Sequence, residues 1–215
     1  MKGSRGLFIT VEGGEGVGKS TNIGFIKRCL DKKNIEFVHT REPGGTPLAE
    51  NIRKLFLDNT QEKITATTEL LLVFAARSQH LSEFIQPQLS AGKWVLCDRF
   101  TDATYAYQGG GRGMDDILIA QLEKIVQKGM HPDYTLLLDA PVEVGMSRAQ
   151  QRGELDRLEQ QEMDFFDRVR AKYLSLSKQH PQRYRLVDAS QSLEDVQRQL
   201  ADIINLIIES EAVPR

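Results

Sequence analysis

Gly13-Gly14-Glu15-Gly16-Val17-Gly18-Lys19-Ser20 decides how this chain folds. The run fits G-x-x-x-x-G-K-[ST] without a mismatch and sits between Leu7–Val11, an apolar and β-branched strand candidate, and Thr21–Asp31, a helical pattern. Strand, Gly-rich turn and helix form the context of a phosphate-binding loop. Glycines let successive backbone N–H groups converge on a phosphate, and the following helix directs its positive end at the same charge. In that role Lys19 reaches the β- and γ-phosphates and the Ser20 hydroxyl faces Mg²⁺. The backbone of Gly13, Gly14, Glu15, Gly16, Val17 and Gly18, with Lys19, Ser20 and Thr21, is therefore the expected ATP site. A chance Gly-rich turn is the plain alternative.

Outward from the loop, the chain alternates between the two periodicities. Strand candidates are Leu7–Glu12, Glu36–Thr40, Trp94–Asp98, Tyr134–Asp139 and Tyr184–Asp188. Three are continuous apolar runs, as strands buried on both faces require. Helical spacing fills the intervals. In the last one Leu193, Val196, Leu200, Ile203 and Ile207 share a face behind Ser192, a good N-cap. Alternating β and α segments predict an α/β fold, a doubly wound five-stranded parallel sheet of the P-loop NTPase type. With 215 residues, one domain spanning 1–215 accommodates this.

Composition narrows the class. The net charge of −2 argues against a general nucleic-acid binder, and no apolar run approaches the length of a membrane span. Cys29 and Cys97 are too few for a disulfide framework and read as small apolar residues in a reducing compartment. With no leader pattern in Met1–Gly6, the expectation is a cytoplasmic protein. His39, His80, His131 and His180 are dispersed and suggest no metal site.

Ligands of such sheets bind beyond the strand carboxyl ends. Asp98 ends the run Trp94-Val95-Leu96-Cys97-Asp98, where a carboxylate can hold Mg²⁺ directly or through water. Arg99 follows with a guanidinium suited to phosphate oxygens, an ordinary ion pair being the alternative. On a helix expected from Thr68 to Leu89, Phe74, Arg77 and Ser78 share a face; they can stack on and bond a base, or serve as core and snorkelling residue. Gly109-Gly110-Gly111 permits close ligand approach or a flexible loop. The polar interval from Arg148 to Asp164 is helical in propensity. Arg148 and Arg152 lie four apart, so their repulsion would be relieved by an anion, though a solvated face tolerates the pair. Asn-Lys-x-Asp and Asp-x-x-Gly motifs of GTPase switches are absent.

Taken together, GGEGVGKST (13–21), TREPGGTPLAE (40–50), FAARSQH (74–80), DRFTDATYAYQGGGRG (98–113), RAQQRGELDR (148–157) and VDAS (187–190) resemble the bacterial thymidylate kinases, within the P-loop nucleoside monophosphate kinases. The resemblance covers nearly the whole chain. It implies conversion of dTMP to dTDP with ATP and Mg²⁺, and usually a homodimer, for which an apolar helix face near Leu70–Leu81 is a candidate. It implies that Arg53 and Arg99 hold the dTMP phosphate and that Arg77 bonds thymine with Thr104 and Gln108 beside it. Tyr107 packs on the deoxyribose, Glu42 and Pro43 belong to the dTMP site, and Glu15 lies near the transferred phosphoryl. Ala189 lies in the loop beside adenine, with Arg148 over the base. Members differ inside the loop. Some carry Arg at the third variable position, which is Gly16 here, and in those with Gly a lid supplies the arginine. That implies a short helical lid, about residues 148–160, with Arg152 and Arg157 as candidates for the phosphoryl group. The chain departs from many members in one place. Their base-stacking aromatic stands four residues before the thymine-binding Arg, where this chain has Val73. The ring is Phe74, three before.

Overall fold

The computed structural model describes residues 5–57, 63–151, 157–158 and 160–212. Its strands are β1 Phe8–Glu12, β2 Phe37–Arg41, β3 Trp94–Asp98, β4 Tyr134–Asp139 and β5 Tyr184–Asp188. They form one parallel sheet in the order β2-β3-β1-β4-β5. The last three match the expected bounds. β1 starts one residue late and β2 is displaced by one, because β2 is an edge strand pairing only with β3 and its register follows Phe37 opposite Trp94. The helices are α1 Lys19–Lys32, α2 Pro47–Leu57, α3 Ala66–His80, α4 Gln86–Ser90, α5 Thr101–Thr104, α6 Asp116–Gln127, α7 Val142–Gln150, α8 Met163–Gln179 and α9 Leu193–Ala212.

The two-residue side-chain period of the strands separates two cores. Ile9, Val11, Leu96, Leu136, Leu138 and Val187 face α1 and α9, meeting Ile26, Leu30, Leu200 and Ile204. Phe8, Val95 and Cys97 face the other way, onto Leu81, Ile85, Leu89 and Phe100. On that second side α8 covers Leu137 and Tyr184 with Phe165, Phe166, Val169 and Tyr173. The cap of α9 is as expected, with Ser192 Oγ accepting from Asp195 N–H at 3.2 Å. Of the expected stripe Val196, Leu200 and Ile207 are buried and Ile203 packs against the same core, Ile204 joins them, and Leu193, at the first turn of the helix, is exposed.

Two continuous helices change their winding, the second of them at the cleft. α3 runs through a π-helical turn, Leu81–Ile85, into α4. α5 runs on as a π-helical stretch, Tyr105–Gly111, which carries Tyr107 and Gln108. Wide turns of this kind often accompany functional positions. The glycines at its end belong to this helical stretch and not to a flexible loop. A Cβ on Gly110 would lie 2.7 Å from the Arg168 carbonyl, and one on Gly111 would lie 2.4 Å from the Phe165 ring. They let the π stretch press on α8, and Arg168 Nη2 donates to the Gly111 carbonyl at 3.0 Å.

The polar interval expected to be helical from Arg148 to Asp164 is interrupted. α7 ends at Gln150 and α8 begins at Met163, after turns at 157–158 and 160. Arg148 is on α7, Arg157 is in a turn, and Arg152 lies outside the described residues. The apolar face near Leu70–Leu81 is mostly spent in the chain's own core: Leu70, Phe74 and Leu81 are buried, and Leu71 is exposed. Among the described residues no helix is long and apolar enough to cross a membrane.

Candidate active site

β1 is central: the chain leaves it for the edge strand β2, returns to β3 between them and then crosses to β4 and β5 on the other side, so the loop after β1 opens at the switch point of the sheet. Gly18 takes the left-handed conformation, φ 85°, and caps α1 without a side chain. Gly16, φ 66°, has a packing reason to lack one: its Cβ would stand 1.7 Å from the Gly145 carbonyl, and a Cβ on Gly145 would meet the Glu15 carbonyl at 2.3 Å. The loop and α7 therefore touch backbone to backbone across facing glycines. No charged side chain can stand at position 16 in this packing.

One cleft of about 660 Å³ begins at this loop. Glu15 to Thr21 line one end; Arg41, Glu42, Pro43, Arg53, Val73, Arg77, Thr104, Tyr107 and Gln108 line the other, with Asp98 and Arg99 between. Lys19 lies back along the loop, its Nζ donating to the carbonyls of Gly13 (3.2 Å) and Gly14 (2.9 Å). Burial and the Arg99 charge lower its proton affinity. Ser20 is exposed at the mouth of α1.

Asp98 Oδ1 is buried with no hydrogen-bond partner. An unpartnered buried carboxylate oxygen is costly unless a cation meets it, so Asp98 and the Ser20 hydroxyl fit the oxygen-seeking chemistry of Mg²⁺. His, Cys, Asp and Glu form no cluster of three suited to a metal among the described residues.

Arg99 has a positive φ of 65°. Its Nη1 donates to the Gly13 carbonyl at 2.9 Å and to Tyr173 Oη at 3.2 Å. Nη2 donates to Glu15 Oε1 at 2.6 Å and Tyr107 Oη at 2.9 Å. Tyr107 Oη in turn donates to Glu15 Oε1 at 2.5 Å. Loop, guanidinium and phenol are thereby tied into one unit. Glu12 underlies it: fully buried, it accepts from Phe100 N–H at 2.7 Å and Tyr173 Oη at 2.8 Å. Burial, with Asp102 nearby, pushes its carboxyl up to about 8.

At the far end Arg77 is 1% exposed. Its guanidinium lies between the rings of Phe74 (4.9 Å) and Phe100 (5.0 Å). Nε donates to Glu42 Oε2 at 2.7 Å and Nη2 to Thr104 Oγ1 at 3.0 Å, while Nη1 is buried without a partner. Glu42 is shared with His80 Nδ1 at 3.0 Å, and His80 Nε2 meets Thr40 Oγ1 at 2.7 Å. Arg53 Nη1 donates to the Pro43 carbonyl at 2.9 Å, beyond the cis Glu42–Pro43 peptide.

The structure places Phe74 outside the cleft, against Leu70 and Ile119 and beneath Arg77. Val73 is the residue of that pair that lines it. Adjacent helix positions point about 100° apart, so only one of the two can face the ligand. Arg148 Nη1 donates to the Ala189 carbonyl at 2.9 Å. Arg157 is turned away from the loop, its Nε donating to the Phe56 carbonyl at 2.9 Å and its Nη2 lying 2.8 Å from Glu69 Oε2.

Four members of this arrangement lie outside every quoted motif, Glu12, Glu69, Gly145 and Tyr173, and a fifth, His80, closes the FAARSQH run but reads in the sequence only as one of four dispersed histidines. Glu12 carried a signal, a carboxylate closing an apolar strand directly before Gly13. The others act through partners remote in sequence.

A parallel sheet with a phosphate-binding loop after its central strand, opening into a cleft, defines the P-loop NTPase class. A family model described as thymidylate kinase matches residues 11–200. Thymidylate kinase of Pseudomonas syringae pv. tomato is 58% identical over 204 residues, 95% of this chain and 97% of the relative. That of Chromohalobacter salexigens is 57% identical over 198 residues, covering 91% and 93%. The crystal structure of thymidylate kinase from Ehrlichia chaffeensis aligns with a TM-score of 0.75 at 31% identity, covering 94% of this chain and 99% of that one. The chain belongs to the thymidylate kinase family and is a phosphotransferase.

Proposed function

We propose that the chain transfers the γ-phosphoryl group of ATP to dTMP. The observation that carries this reading is the continuity of the cleft: phosphate loop and Arg77 end share one space, with Arg99 between. The acceptor is a phosphate oxygen, ionised at neutral pH, so no general base is needed. Rate then depends on aligning two anions and neutralising the charge that moves between them. Lys19 turns from the loop carbonyls to the ATP phosphates. Arg99, with Arg53, takes the dTMP phosphate, which competes with Glu15 for the guanidinium. Arg77, Thr104 and Gln108 hold the base, Tyr107 packs on the sugar, and Val73 is the apolar wall at the position where many family members carry an aromatic. Arg148 and the Ala189 loop flank adenine.

Ser20 and Asp98 would hold Mg²⁺, which when bound neutralises phosphate oxygens. We read 1–215 as one kinase domain whose segment 148–160 is a lid. Closing that lid draws Arg157 from Glu69 and brings Arg152 or Arg157 to the phosphoryl group. A cytoplasmic homodimer fits the family. α3 packs against α2 and α6, and the exposed Leu55, Leu71, Ile117 and Ile125 lie on these helices; sedimentation at micromolar concentration tests it.

An ADP-release assay across dTMP, dUMP, dCMP, UMP and thymidine tests the reaction. Turnover preferring dTMP is expected. ATP hydrolysis indifferent to all five would refute the reading and leave a nucleotide-binding module.

A further inference from the structure

Glu69 stands on α3 about two turns before Arg77, is 1% exposed, and does not line the cleft. Its Oε1 accepts from Gln108 Nε2 at 2.9 Å and Arg112 Nε at 3.2 Å. Its Oε2 accepts from Arg112 Nη2 at 3.2 Å and faces Arg157. Burial works against its charge, but hydrogen bonds from Arg112 and Gln108 and the Arg112 charge hold the carboxyl below its ordinary value. It is therefore ionised at neutral pH, and an ionised carboxylate only accepts. The Gln108 side chain has no such fixed polarity of its own, since either end of a planar amide can face a neighbour. Against Glu69 it must present its NH₂, which leaves the carbonyl for the cleft that Gln108 lines with Arg77.

We propose that Glu69 is a positioning residue for base selection: by holding the Gln108 nitrogen it fixes an acceptor beside the unpartnered Arg77 donor, a pair that matches a 4-keto pyrimidine and opposes a 4-amino one. The proposal rests on the dTMP reading above. Thymine presents an oxygen acceptor at position 4 and an N–H donor at position 3, meeting Arg77 Nη1 and the Gln108 carbonyl. Cytosine presents an amino donor at 4 and a bare nitrogen acceptor at 3, so both contacts become like against like. Buried polar groups left unpaired are where hydrogen-bonding sites obtain their strongest rejection. An amide free to turn over would forgive half of that mismatch.

The test compares kcat/KM for dTMP and dCMP in wild type, Glu69→Gln and Arg112→Lys. Glu69→Gln, which can donate or accept, is expected to lower the dTMP:dCMP ratio by about tenfold or more. Arg112→Lys keeps a cation beside Glu69, leaves the Gln108 bond in place and keeps the ratio within about twofold. A folded Glu69→Gln enzyme with the wild-type ratio overturns the proposal, and so does an Arg112→Lys enzyme as unselective as Glu69→Gln. Should Glu69→Gln fail to fold, Glu69→Asp keeps the charge for Arg112 but withdraws it from Gln108. The same loss of selectivity is then expected, and an unchanged ratio overturns the idea. A wild-type chain inactive on dTMP refutes the underlying reaction instead.

Discussion

Glu12→Gln should remove a loss of stability that the wild-type chain suffers as pH rises. Glu12 is fully buried at the end of β1, bonded to Phe100 N–H and Tyr173 Oη. Burial first, and the neighbouring Asp102 second, raise its pKa from 4.5 to about 8. The native chain then keeps this proton up to about pH 8, whereas the unfolded chain releases it near 4.5. Between those values the native state binds more protons, so stability falls as pH rises. The contribution is complete below the unfolded value and gone above the folded one. Each tenfold change in proton affinity is worth about 1.4 kcal/mol, so the interval carries at most about 5 kcal/mol. Gln matches the shape of the protonated acid: its carbonyl can accept from Phe100 N–H and its NH₂ can donate to Tyr173 Oη. Urea denaturation of both proteins from about pH 5 to about pH 9 measures the difference between them. Groups common to both cancel in that difference. Among them is His39, whose pKa burial lowers and which therefore bends the profile the opposite way. The two proteins are expected to agree within about 1 kcal/mol near pH 5, with the variant more stable by about 3 kcal/mol or more near pH 9. Parallel profiles across the range would show that Glu12 does not carry a proton in the native state, and the reasoning would fail.

Three further outcomes can be checked. Arg77→Met removes the donor proposed to meet the base and deprives Glu42 of its buried cation; kcat/KM for dTMP should fall at least about tenfold and unfolding free energy by about 3 kcal/mol, read by steady-state kinetics and urea titration, with wild-type values in both counting against the site. Gly16→Ala places a Cβ against the Gly145 carbonyl in a left-handed conformation, so ATP affinity measured by calorimetry should drop by about tenfold or more, and unchanged binding would mean the loop does not pack on α7 as described. Arg152→Ala or Arg157→Ala should lower kcat by about 10²-fold with little change in the KM for dTMP, as for a contact made in the transition state; unchanged kcat in both would remove the lid from the mechanism.

Much of the fold could be read in advance because its signals are local. Strand runs such as Trp94–Asp98 and Tyr134–Asp139 keep their bounds since flanking turns and apolar continuity are properties of a few neighbouring residues. The phosphate loop is legible for the same reason, being one uninterrupted stretch. Errors appear where a neighbour distant in sequence decides. β2 shifts because its partner β3 sets the register. The helix expected across Arg148–Asp164 stops at Gln150. Phe74, for which a base contact and a place in the core were both open, takes the core because Leu70 and Ile119 give it an apolar bed.

By itself, then, the sequence determined that strands and helices alternate, that a phosphate-binding loop follows β1, and that Asp98 and Arg99 stand at a strand end. These depend on residue type and spacing along the chain. Tertiary structure alone decided what those residues are attached to: that β3 inserts between β2 and β1, that Gly145 leaves no room for a side chain at Gly16, that Glu12 is buried beneath Arg99, and that Glu69 gathers Gln108, Arg112 and Arg157. Each of these is a meeting of segments far apart in sequence, and burial, proton affinity and hydrogen-bond polarity come into being only when packing excludes water from that meeting.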